Sequence, residues 1–203
     1  MLKKWLKEYF EINKTDILKV VGLLLVGIII GIGAYVFASQ EIKQLLISSV
    51  RSVFDISKQD TYIKTNIIVN GIKSNILLIG MLAILALTLF GKWIIYIIMI
   101  LKGTAISIYT ILLFNVFGPL WGIVTTILLV IIVNILYLPA FIYLAVSFLD
   151  LNFNIFKTRI NTINASLVYR ILLVVFIGFV IIFSSIVVEQ ISGNIVLNIY
   201  KKI

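Results

Sequence analysis

Apolar and polar positions alternate here in long blocks, and the widest apolar block, residues 76–149, carries only Lys92 and Lys102 as charges. That block is too long and too apolar for the core of a water-soluble domain. Asn115, Gly118 and Pro119 divide it at a tight uncharged turn, and Gly91-Lys92 divides it again. Two further apolar runs, 20–38 and 171–188, are also long enough to cross about 30 Å of hydrocarbon. The pattern predicts an all-α, polytopic α-helical membrane protein of about five transmembrane helices, at 20–38, 76–90, 94–114, 120–149 and 171–188. The chain thus reads as a single integral membrane domain over residues 1–203.

The segments between the apolar runs have their own periodicity. In residues 1–19, Trp5, Leu6, Tyr9 and Phe10 stand at helical spacing opposite Lys3, Lys7, Glu8, Glu11 and Lys14, the pattern of an interfacial helix. Its lysines favour a cytoplasmic N-terminus. Residues 39–74 then lie outside as an extracytoplasmic amphipathic segment. Ile42, Leu45, Leu46, Val50, Val53 and Phe54 form one helical face there, with Lys43, Gln44, Arg51 and Ser52 mostly on the other side. Such a face rests on the outer leaflet, packs on other spans or receives a partner's helix, and periodicity does not choose among these. An inner loop is expected at 150–169. A short tail at 189–203 would leave the C-terminus extracytoplasmic, since the number of crossings is odd.

Small and polar residues within the apolar runs mark candidate contacts. Gly27 and Gly31, continued by Ala34 and Ala38, make a smooth stripe on the first span, and Gly118 and Gly122, continued by Thr126, make another at the start of the fourth. Such stripes let helices approach closely in lipid, where packing rather than hydrophobicity drives association. Lys102 lies about 13 Å into the third span at 1.5 Å per residue. A lysine at that depth costs about 2.5–3.5 kcal/mol on insertion scales, so it needs polar company or a route to the surface. Backbone carbonyls, Asn134, Ser107 and Thr110 are the partners on offer, and Gly103 beside it suits a close crossing. Pro139 is expected to kink the fourth span, with Asn134 bonding across helices or satisfying the carbonyl that Pro139 frees.

Composition narrows the chemistry. The chain is 62% hydrophobic and only 12% charged, with a mean hydropathy of +1.20, as expected of a polytopic membrane protein. It contains neither cysteine nor histidine, which removes disulfides, thiol chemistry and the commonest zinc and haem ligands. The formal charge of +9 sits beside apolar spans, where it points to anionic membrane lipids and not to nucleic acid. Carboxylates are few and dispersed, and neither a P-loop nor a nucleophile elbow occurs. The expectation is no enzyme, with no catalytic, cofactor-binding or metal residues. Oligomeric state is open, a homodimer included.

The centre of the chain carries Asn70-Gly71-Ile72-Lys73-Ser74-Asn75, Leu101-Lys102-Gly103-Thr104, Phe117-Gly118-Pro119-Leu120-Trp121-Gly122, and Asn134 followed by Leu138-Pro139-Ala140. In order and spacing these motifs, over about residues 20–156, resemble the stage II sporulation protein M family of bacterial membrane proteins. The family usually has another proline shortly before the asparagine, where this chain has Ile132. The resemblance implies residence in the bacterial cytoplasmic membrane. It also implies a role as anchor of a peptidoglycan-remodelling complex with stage II sporulation proteins D and P, during engulfment in endospore formation. The competing expectation is the permease subunit of an exporter driven by a separate ATPase, with Lys102 and Asn134 lining a path between protomers.

Overall fold

The computed structural model describes residues 11, 13–59 and 90–157, isolated positions between 80 and 88 and between 176 and 188, and residues 190–198 and 200. Among them the architecture is entirely helical. Helix α1 is Lys14–Phe37, α2 is Gln40–Gln59, and α3 is Gly91–Thr126 with a break at Gly118. A π-helical turn, Ile127–Ile131, follows and leads into α4, Ile132–Lys157. The described residues near the C-terminus, 190–198 included, are helical as well. Two stretches, Lys14–Phe37 and Gly91–Leu149, are apolar and long enough to cross a membrane. The expected second span, 76–90, falls almost wholly outside the described residues, as do residues 1–10 of the interfacial segment, residues 60–74 of the extracytoplasmic segment, residues 158–169 of the expected inner loop and most of the expected fifth span, 171–188.

Helix α1 carries no charge after Lys19, which pairs with Asp16 at 3.2 Å. It ends where Ala38 takes extended backbone angles, and Lys43 closes that end by donating its ammonium to the Val36 carbonyl at 3.0 Å. A cation there also meets the negative end of the helix dipole. One face of α1, Val20, Leu24, Gly27 and Gly31, is buried. Leu25, Ile29, Ile30 and Val36 are exposed, an apolar belt that in water would be costly to leave uncovered.

The first arm of α3, residues 91–117, runs parallel to α1. Val20 shares a core cluster with Ile95 and Met99, Gly27 abuts Ile100, and Gly31 abuts Thr104 and Ser107. At Gly118 the backbone adopts φ 76° and ψ 176°, a conformation confined in practice to glycine. Pro119 follows at the first position of the next helical arm, where its missing N–H costs nothing. The chain reverses here, for Gly122 comes to lie against Phe114, eight residues back, where a continuous helix would place them about 12 Å apart.

The returning arm departs from α-geometry at Ile127–Ile131, where the Ile132 N–H donates five residues back to the Ile127 carbonyl. This widened turn lies upstream of Pro139, which stands inside α4. Helix α4 also overruns the expected loop at 150 and reaches Lys157. It supplies the most densely buried stretch, Phe141, Leu144, Ala145, Val146 and Phe148, in a cluster with Val20, Leu24, Ile95 and Met99. A second cluster gathers at the turn end: Phe54, Leu113, Phe117, Val130 and Val196. Within the expected tail, 189–203, the described residues 190–198 are helical and Val196 is fully buried.

Candidate functional site

Two places concentrate the residues singled out by the sequence. The first is the crossing of α1 and α3. A Cβ built on Gly27 would overlap the Ile100 carbonyl, one on Gly31 would overlap the Ser107 hydroxyl and stand 2.7 Å from the Thr104 carbonyl, and one on Gly103 would overlap the Leu24 carbonyl. Gly27 thus faces Ile100, Gly31 faces Thr104 and Ser107, and Gly103 faces Leu24 and Ile28, so the two backbones touch directly. That proximity allows Thr104 to bridge the helices. Its hydroxyl lies 3.0 Å from the Gly27 carbonyl and 3.0 Å from its own Ile100 carbonyl, so it bonds across the gap while also satisfying its helix. Ser107 turns back to the Thr104 carbonyl at 2.9 Å.

Lys102 is half-buried next to this crossing, and its Nζ sits 4.2 Å from the centroid of the Tyr137 ring on α4. Tyr137 in turn stacks on Phe141, with ring centroids 5.6 Å apart. An aromatic face attracts a cation by its quadrupole, at about 0.5–2 kcal/mol depending on desolvation. This contact offsets part of the cost of holding an ammonium among apolar helices. The sequence reading named carbonyls, hydroxyls and Asn134 as partners and missed the aromatic. Tyr137 lies within the marked 134–140 segment, but nothing local distinguishes it from any other tyrosine in a membrane helix.

Asn134 makes a different bond from either one expected. Its Nδ2 donates to the Val130 carbonyl at 2.7 Å, four residues back on the same chain segment, next to the π-turn. A widened turn leaves carbonyls poorly matched to the regular ladder, so a side-chain donor there is useful. Pro139, marked by the sequence as a candidate packing or cavity residue along with Lys102, Gly103 and Asn134, is exposed on α4. Gly118, grouped by spacing with the helix contacts, has open space where a Cβ would stand; its role is conformational. Gly122 does make a contact, since a Cβ there would come within 2.9 Å of the Phe114 Cα and ring. The Thr126 hydroxyl is buried with no hydrogen-bond partner, a cost of about 1–3 kcal/mol.

The second place is the turn end. Helix α2 lies across it with Phe54 inserted between Phe117, at 5.1 Å between ring centroids, and Tyr200, at 5.7 Å. Phe117 and Tyr200 meet edge-on at 5.3 Å, so the three rings close on one another. The Tyr200 hydroxyl donates to Asp55 Oδ1 at 3.0 Å, tying the C-terminal segment to α2. Burial, and then the bond to Asp55, push the Tyr200 phenol above its ordinary value of 10.0. Of the amphipathic face, Phe54 is buried and Val50 packs beside it, Leu46 is half-buried, and Ile42, Leu45 and Val53 are exposed. The polar side of α2, Gln44, Ser48, Arg51, Ser52 and Asp55 together with Ile47, lines an open groove of about 320 Å³.

Among the described residues no group of histidine, cysteine or carboxylate side chains is placed to hold a metal ion. The chain matches no protein-family model, no curated protein and no solved structure.

Proposed function

We propose that this chain is a non-enzymatic integral membrane scaffold that presents the turn end of its helical bundle to extracytoplasmic partners. The observation that carries this reading is the contrast between its interior and that end. Inside, α1 and α3 are in backbone contact, and the polar groups at their crossing bond to adjacent carbonyls. Such packing leaves little for a solute to follow. At the turn end, three separate segments converge on the Phe54, Phe117 and Tyr200 rings, and a polar groove opens beside them.

The reading has five crossings, a cytoplasmic N-terminus and an extracytoplasmic C-terminus. Parallel packing of α1 and the first arm of α3 supports it, since the chain between Gln59 and Gly91 must return to the end where α1 begins. The apolar run 76–90 is suited to that return. Val196 and Tyr200 pack at the turn end, opposite the start of α1, as an odd number of crossings requires. The resemblance to the stage II sporulation protein M family suggests what the partners are. They are stage II sporulation proteins D and P, which would carry the wall chemistry while this chain anchors them during engulfment.

Affinity capture of the tagged full-length chain from sporulating cells, with cross-linking before solubilisation, tests the proposal. Recovery of the two wall-remodelling proteins, weakened by Arg51→Glu in the α2 groove, is the expected result. Recovery of an ATPase without them, together with loss of export on Lys102→Met, would replace the scaffold with the permease reading.

A further inference from the structure

Helix α2 has three faces rather than two. At 3.6 residues per turn, Ile42, Leu45 and Val53 fall along one line, and Val50 and Phe54 along a second about a quarter-turn away. Only the second line is packed. Phe54 is 8% exposed, whereas Ile42, Leu45 and Val53 are 51%, 67% and 54% exposed. The polar groove occupies the third face, roughly opposite the gap between the other two.

We infer that the ridge of Ile42, Leu45 and Val53 is seated in the outer leaflet of the phospholipid bilayer, making α2 an interfacial helix clamped to the rim of the bundle. The inference rests on the membrane reading above. Two anchors fix the level of α2. Lys43 binds the Val36 carbonyl in the last turn of α1, and Phe54 meets Phe117 in the last turn before the Gly118 break. Both are points where long apolar helices stop, which is the depth at which hydrocarbon gives way to headgroups. A helix held to that level near both ends lies along it.

The ridge is also continuous with a surface that lipid would already cover. Val36 and Phe37, 59% and 90% exposed, finish the apolar belt of α1, and the Lys43 bond holds the start of α2 against them. Protein on one face, lipid on the second and water on the third account for all three sides of α2. The consequence for the scaffold is that partners meet the polar groove and not the apolar ridge.

The chain has no cysteine, so single-cysteine variants of the full-length protein can carry a nitroxide label in phosphatidylethanolamine and phosphatidylglycerol vesicles. Labels at Ile42→Cys, Leu45→Cys and Val53→Cys are expected to collide several-fold more with oxygen than with an aqueous nickel chelate, and labels at Gln44→Cys and Ser48→Cys to show the reverse. Nickel access at the ridge equal to that at Gln44 and Ser48 overturns the inference. So does shielding from both reagents, which would mean that a second copy or another protein covers the ridge. Ile29→Cys, in the α1 belt, separates the two readings. An oxygen-rich Ile29 with a nickel-accessible ridge defeats only the interfacial assignment, whereas a nickel-accessible Ile29 defeats the membrane reading and this inference together.

Discussion

Replacing Gly27 by alanine adds one methyl group at the point where α1 and α3 have the least room. The new Cβ would stand 2.9 Å from the Ile100 carbonyl carbon and 3.0 Å from its Cα, with ordinary contact beginning at 3.4 Å, and would overlap the carbonyl oxygen itself. The obstacle is backbone in a regular helix, so no side chain can swing aside, and the helices must separate by about 1 Å or more. A gap of that size forfeits about a quarter to a half of the dispersion attraction at each facing atom pair. It also stretches the 3.0 Å bond from Thr104 to the Gly27 carbonyl, a class of bond worth about 0.6 kcal/mol on average in membrane proteins and up to about 1.7. With overpacking costs of about 1–3 kcal/mol, Gly27→Ala should destabilise the fold by about 2–4 kcal/mol. Gly33, on the same helix, has nothing within 4 Å of its added Cβ, so Gly33→Ala should be neutral or slightly stabilising through helix propensity. Reversible unfolding of purified protein in mixed micelles, followed by tryptophan fluorescence, measures both. Equal effects at the two glycines, or a tolerated Gly27→Ala beside a damaging Gly33→Ala, would refute the assignment of the crossing.

Three further outcomes are expected. Gly118→Ala meets no neighbour but must hold φ at 76° and ψ at 176°, so its cost should be backbone strain of about 1–3 kcal/mol, visible as a lower unfolding midpoint that Gly118→Asn does not rescue, because that ψ lies outside the left-handed helical region asparagine tolerates. Lys102→Met loses the Tyr137 contact, about 0.5–2 kcal/mol, and escapes an insertion cost of about 2.5–3.5 kcal/mol; membrane-fraction yield and thermal midpoint should hold or rise, and a fall would mean that the lysine is structurally required. The raised Tyr200 phenol keeps its proton in the fold at a pH where the unfolded chain begins to lose it. Its contribution is therefore complete below pH 10 and declines as pH climbs from there through the higher folded value. Alkaline unfolding curves of the parent and Tyr200→Phe should differ in slope across that window, and parallel curves would show that the phenol is not linked to folding.

The sequence by itself determined features that depend on local chemistry and on the solvent. Long apolar runs can lie in few other places than a bilayer or a large core, a glycine followed by proline in such a run marks a reversal, and the spacing from Ile42 to Phe54 defines a helix with one apolar side. Each of these follows from a chain segment and its surroundings alone. Only the tertiary structure decided which surfaces meet. Spacing marked Gly27 and Gly31, but their pairing with Ile100 and Ser107 depends on the rotation of two helices separated by more than fifty residues of chain. Tyr137 beneath Lys102, Phe54 between Phe117 and Tyr200, and the division of the α2 face into packed and exposed lines are equally non-local. Gly118 and Gly122 look alike as a small-residue stripe, yet one sets a backbone angle and the other admits a ring, because a missing Cβ serves conformation and contact equally well. In a chain this uniformly apolar, periodicity says that a face is available and only the packed neighbours say what occupies it.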